Sequence, residues 1–153
     1  MFYSYLIFIL AQDIANETPG FFITKGPGIG NQATNAFMSE LQKRGKEKIG
    51  FDCCEKRICG DTLFAVDFYF PKEGTIIEIA LSLNNPNREF EKDIIKAILA
   101  KRAGNSVKKL VFISKPGAIE RNEEPGPKAI ISWIEQDYGI KVYIRELQDL
   151  QQK

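Results

Sequence analysis

The chain has 153 residues, 44% hydrophobic and 27% charged, with a formal net charge of +1. This describes one soluble globular domain over residues 1–153 with a sizeable core, and so low a charge means that any nucleic-acid partner must be held by a local basic patch. Histidine is absent, which excludes His-based triads, HExxH zinc proteases, HNH-type nucleases and Cys/His zinc fingers. Catalysis must then run on carboxylates, Lys, Cys, Ser, Tyr or a metal.

The opening MFYSYLIFIL is too short to span a bilayer and lacks the charged n-region and cleavage site of a signal peptide. Phe2, Leu6, Ile9, Leu10 and Ile14 fit helical spacing and predict a helix over about 2–16, docked or forming a homodimer; a membrane-surface helix is the minor alternative. Thr18-Pro19-Gly20 ends it. Gly26-Pro27-Gly28-Ile29-Gly30-Asn31 reads as a flexible loop with Asn31 as helix cap, and lacks the GK[ST] of a phosphate-binding loop. A helix follows from about Gln32 to Gly45 or Gly50, with Ala33, Ala36, Phe37 and Leu41 on one face. Glu40 falls within that apolar face, as a boundary residue reaching water or as a functional acid. Lys43, Arg44, Lys46 and Lys48 form a basic run, a solvated face or a phosphate-backbone contact.

A strand is expected over 51–58. Its Cys53 and Cys54, with Cys59, lack zinc-type spacing and read as reduced thiols in a cytoplasmic setting, a thiolate site with Asp61 being the remote alternative. Residues 62–83 predict two apolar strands joined by the loop Pro71-Lys72-Glu73-Gly74. Asn84 to Asn87 break the sheet. A helix over 88–103 carries Ile94, Ile95, Ile98 and Leu99 as its stripe, with Glu91 mid-face and Lys92 at the edge. Next come a strand over 107–114, a Pro/Gly-rich loop over 115–127, a helix over 128–138, a strand over 141–144 and a polar helical tail. Strands first, then βαβ alternation, predict an α/β fold: a mixed central sheet with helices on both faces.

The hairpin holds the main anomaly. If Phe70 pairs with Thr75, Asp67 lies across from Glu78, with Cβ atoms about 4.5–5.5 Å apart on one face. Like charges so placed are destabilising. Ala65 and Ala80 keep that face small, while Phe64, Val66, Phe68, Phe70, Ile77, Ile79 and Leu81 form the opposite, core face. Three environments are open to the pair: exposure to solvent, a Lys or Arg partner, or Mg²⁺, which takes one or two carboxylates and several waters.

Residues 66–82, VDFYFPKEGTIIEIALS, resemble the PD-(D/E)XK motif of the restriction-endonuclease-like superfamily, and the helix, three-strand, helix, strand order from about Gln32 to Ser114 resembles its αβββαβ core. The resemblance implies an Mg²⁺-dependent DNA endonuclease, with Mn²⁺ as a substitute. Asp67 and Glu78 would bind the metal with the Ile79 carbonyl, and Glu40 would be the additional helical acid. Two departures stand out: Val66 replaces the motif Pro, and Ala80 occupies the motif Lys position. Some members move that Lys to a neighbouring helix, which makes Lys92 the first candidate and Lys96 the second. Lys43, Arg44 and Arg88 are candidate phosphate contacts. The alternative is a catalytically impaired member that binds nucleic acid or a protein partner.

Overall fold

A computed structural model describes residues 2–23, 27–83 and 89–150. Its contacts group into two compact units, Met1–Asp52 with Leu147–Lys153, and Cys53–Glu146.

The first unit contains α1 (Tyr3–Glu17) and α2 (Pro27–Ile49). α1 buries Ile7, Leu10, Ala11, Ile14 and Ala15, whereas Phe2 is 63% exposed. The buried arc includes the two alanines, which carry little hydrophobicity but allow close approach, so the true face is rotated from the one that the larger residues suggest. α2 begins at Pro27, before the expected start. Proline suits a first turn because its missing N–H would be unpaired there, and Asn31 consequently lies inside the helix instead of capping it. α2 continues through Gly45 and ends at Gly50, whose φ is +86°. Phe37 and Leu41 are buried as expected, but Ala36 is exposed. The expected helical tail does not form over residues 147–150. Leu147 is buried instead, and Gln12 exchanges two hydrogen bonds with the Gln148 backbone, at 2.8 and 2.9 Å. The two bonds tie the segment to α1.

The second unit is α/β. Its strands are β1 (Cys54–Lys56), β2 (Val66–Phe70), β3 (Thr75–Ile79), β4 (Lys109–Ser114) and β5 (Lys141–Glu146). They form one open mixed sheet in the order β1-β2-β3-β4-β5. The β1–β2 and β2–β3 pairs are antiparallel; β3–β4 and β4–β5 are parallel. Parallel pairs need crossovers, supplied by α3 (Glu89–Arg102) and by α4 (Ala118–Arg121) with α5 (Pro125–Tyr138). α5 starts three residues earlier than expected, at a proline in its first turn. One apolar cluster joins Ile76, Leu110 and Phe112 of the sheet to Phe90, Ile94, Ala97 and Ile98 of α3 and Ile134 of α5.

The β2–β3 hairpin has the expected register, with Phe70 opposite Thr75 and Phe68 opposite Ile77. Its turn ends at Gly74, whose φ is +62° and whose carbonyl accepts the amides of Lys108 and Lys109 at 2.7 and 3.0 Å. A Cβ there would stand 3.0 Å from Ser106 Oγ and 3.1 Å from Lys108 Cγ. Gly74→Ala should therefore cost about 1–2 kcal/mol from the left-handed backbone alone, with the contacts adding to it. Urea unfolding would show this as a lower midpoint at unchanged slope.

Candidate active site at the β2–β3 strand ends

Asp67 and Glu78 do meet across the hairpin, and each is bonded to main chain on the opposite strand. The Ile79 N–H donates to Asp67 Oδ2 at 2.7 Å, and the Asp67 N–H donates to Glu78 Oε1 at 2.8 Å. The recorded ladder stops at Phe68–Ile77, and beyond it carboxylate oxygens accept where carbonyls would have accepted. This reciprocal bonding fixes both side chains relative to the sheet. Their face is partly covered by α3: Glu78 is only 1% exposed, while Asp67, Ala65 and Ala80 are half-buried.

Of the three environments open to the pair, the structure shows a lysine partner. Lys96 Nζ of α3 donates to Glu78 Oε2 at 2.5 Å and to Asp93 Oδ1 at 3.3 Å. Asp93 and Lys96 lie three residues apart on one face of the helix and are both buried. Lys92, the first sequence candidate, is exposed instead, with its amine 5.7 Å from the centre of the Phe64 ring. Glu91 is also exposed.

The cause of that difference is the helix face. At about 100° per residue, Ile94, Ile95, Ile98 and Leu99 centre their stripe on Glu91. The buried residues are Phe90, Asp93, Ile94, Lys96, Ala97, Ile98 and Ala100, centred roughly a third of a turn away, and Ile95 is 50% exposed. Ala97 and Ala100 mark where α3 lies close to its neighbours. Asp93 and Lys96 lie nearer the centre of that observed buried face than Lys92 does, and Asp93 is the site residue that sequence reasoning missed.

Three acids around one lysine leave an excess of negative charge in a poorly solvated place. Burial pushes Asp67 up to about 6, partly opposed by the Ile79 amide and Lys96, while the charges of Asp93 and Glu55 add to the rise. Burial also raises Glu78, to about 10, helped by its hydrogen bond with Asp93 and by the charges of Asp67 and Asp93, and opposed by Lys96. Burial works against the Lys96 charge, but Glu78, Asp93 and Asp67 outweigh it and raise the amine above its ordinary range. The ammonium is therefore retained, and the carboxyl groups share fewer charges than their number. Glu55, in β1, adopts a left-handed φ of 48°, a conformation costly for a residue with a side chain.

Among the described residues, no three or more His, Cys, Asp or Glu side chains form a group able to hold a metal ion by themselves. Mg²⁺ does not need one, since it is commonly held by one or two carboxylates and keeps several waters. Asp67 and Glu78 supply hard oxygens, Asp67 Oδ1 has no hydrogen-bond partner among the described residues, and the excess negative charge favours a dication. Asp67 and Glu78 are the residues that could hold Mg²⁺. Ile79 contributes its amide to Asp67 in the same region.

The remaining candidates lie elsewhere or outside the described residues. Glu40, Lys43 and Arg44 belong to α2 in the first unit. Arg44 donates to Glu40 Oε1 at 2.8 Å and to Glu17 Oε2 at 2.6 Å. These bonds raise the guanidinium further above its usual range and lower Glu17. Glu40 and Arg44 are thus paired within their own unit, while Lys43 is exposed. Arg88 lies outside the described residues. Cys53, Cys54 and Cys59 are buried free thiols; Cys59 Sγ donates to the Lys96 carbonyl at 3.3 Å, and burial raises its pKa. Among the described residues no helix is long and apolar enough to cross a membrane. No family model matches the chain, and neither the curated proteins nor the solved structures contain a match to it.

Proposed function

We propose that this chain hydrolyses phosphodiester bonds in DNA, with Mg²⁺ as cofactor and Mn²⁺ as a substitute, on a restriction-endonuclease-like core. The observation that carries the reading is the Lys96 amine on Glu78 Oε2, with Asp67 on the adjacent strand bonded to Ile79. An acid on one strand, an acid on the next and a lysine at the second acid make up the motif's functional set. Here the lysine comes from α3 and position 80 holds Ala. The element order from α2 through β4, with β4 parallel to β3, supports the same core.

In this reading Asp67 and Glu78 hold the ion, joined by the Ile79 carbonyl as the resemblance implies. When bound, Mg²⁺ supplies charge at the phosphoryl oxygens and an acidified water. Lys96, kept protonated by Glu78 and Asp93, donates a hydrogen bond to the water or to a phosphate oxygen and orients it. Asp93 holds the lysine in place. The exposed Lys43 is a candidate contact to the DNA backbone. Two chains could pair through the exposed Phe2 and Tyr5 of α1. The buried free thiols support a reducing, cytoplasmic setting.

A second reading has one observation in its favour. Glu78, Asp93 and Lys96 are 1%, 6% and 7% exposed and already satisfy one another, as they would in a non-catalytic member that binds DNA or a protein. Incubating the protein with plasmid and branched DNA in Mg²⁺ or Mn²⁺ separates the two readings. The expected result is cleavage that EDTA and Asp67→Ala both abolish. No cleavage in either ion, with DNA binding indifferent to Asp67→Ala, would overturn the nuclease reading.

A further inference from the structure

Ser114 ends β4 on the same side of the sheet as the acidic pair. In the parallel β3–β4 ladder, Ile76 lies beside Leu110 and Glu78 beside Phe112. The Ala80 N–H donates to the Ile113 carbonyl at 2.9 Å, carrying that register one step onward. Alternation then sets Ser114 beside Ala80, on the face shared by Phe112 and Glu78. Adjacent strands lie about 4.8 Å apart, and same-face neighbours along a strand about 6.6 Å apart. The hydroxyl is therefore one strand across and one same-face step along from Glu78.

Ser114 is fully buried, at 0% exposure. Its Oγ is the one buried side-chain nitrogen or oxygen without a hydrogen-bond partner among the described residues. A buried hydroxyl left unpaired disfavours folding, and a strand interior would accept Ala or Val more readily at that position. Such a group calls for a partner that the fold does not supply, an ordered water or a bound ligand. Ala80, its neighbour on β3, offers only a methyl, whereas a lysine at position 80 would have reached across this end of the sheet.

We propose that Ser114 is a substrate-contacting residue whose hydroxyl donates a hydrogen bond to a non-bridging oxygen of the scissile phosphodiester. The proposal rests on the phosphodiesterase reading for the identity of the ligand, and on burial and register for the residue. Together with Lys96 from α3, Ser114 from β4 shares the positioning role that one strand lysine would otherwise fill.

The test compares wild type with Ser114→Ala by fluorescence anisotropy on a short labelled DNA duplex in Ca²⁺, by cleavage of the same duplex in Mg²⁺, and by thermal melting. Ser114→Ala should bind at least tenfold more weakly, with a melting temperature equal to or above that of wild type, because the lost hydroxyl has no partner among the described residues. Unchanged affinity would overturn the role of Ser114, and continued wild-type cleavage would then leave the nuclease reading standing. A lower melting temperature with affinity kept would make the hydroxyl structural and also overturn it. Wild-type binding that weakens in Ser114→Ala without any cleavage would uphold the phosphodiester contact and remove the hydrolytic reading. No binding by wild type would overturn both.

Discussion

Lys96→Met should lower Mg²⁺-dependent DNA cleavage at least 100-fold, while Lys92→Ala leaves it unchanged. The two lysines are one helical turn apart, but only Lys96 reaches the acidic pair, through its 2.5 Å bond to Glu78. Lys92 lies over Phe64 at the surface. Methionine keeps most of the buried aliphatic stem and removes the charge. Without the ammonium, Glu78 and Asp93 lose the one cation bonded to them among the described residues, and breaking a buried pair by removing one partner typically costs about 3–5 kcal/mol. Protonation of Glu78, already favoured by burial, should bring the loss toward the lower end of that range. The variant is therefore assayed below its melting temperature, with circular dichroism confirming that it is folded. Wild-type rates in Lys96→Met, or a loss confined to Lys92→Ala, would refute this assignment of the lysine.

Asp67→Asn should do the opposite to stability: abolish cleavage and raise the melting temperature at neutral and alkaline pH. The folded protein holds the Asp67 proton more tightly than an unfolded chain does, about 6 against the ordinary 3.8. The stability linked to that proton is complete below the unfolded value and is lost as pH rises through about 6. Glu78 acts in the same sense over a window that extends to about 10. Asparagine keeps an oxygen to accept the Ile79 N–H and removes the charge. The gain should be on the order of 1–3 kcal/mol at pH 8 and should vanish near pH 4. Mg²⁺ should raise the wild-type melting temperature at pH 8, scarcely at pH 4, and not at all in Asp67→Asn. Equal destabilisation of Asp67→Asn at every pH would show that the carboxylate is a structural acceptor only. A gain in stability with a loss of function is the trade expected where a site concentrates like charge.

Much of this was legible in the chain. The Pro71–Gly74 turn and period-two flanks set the hairpin register, and the register alone set Asp67 opposite Glu78. Strand and helix identities over β2 to β5 followed from short β-branched and aromatic runs alternating with longer periodic segments. The misjudged faces of α1 and α3 share a cause: they were judged by their largest residues. On both α1 and α3, buried alanines shifted the face, and on α3 that shift exchanged Lys92 for Lys96.

By itself, the sequence determined the acidic pair, its strand register and the absence of histidine chemistry, because these depend on local spacing and composition. Which lysine answers the pair, that Asp93 joins it, and that Ser114 finds no partner among the described residues were decided only by the tertiary structure. Those facts depend on how α3 rotates and how β4 aligns beside β3, and long-range packing sets both.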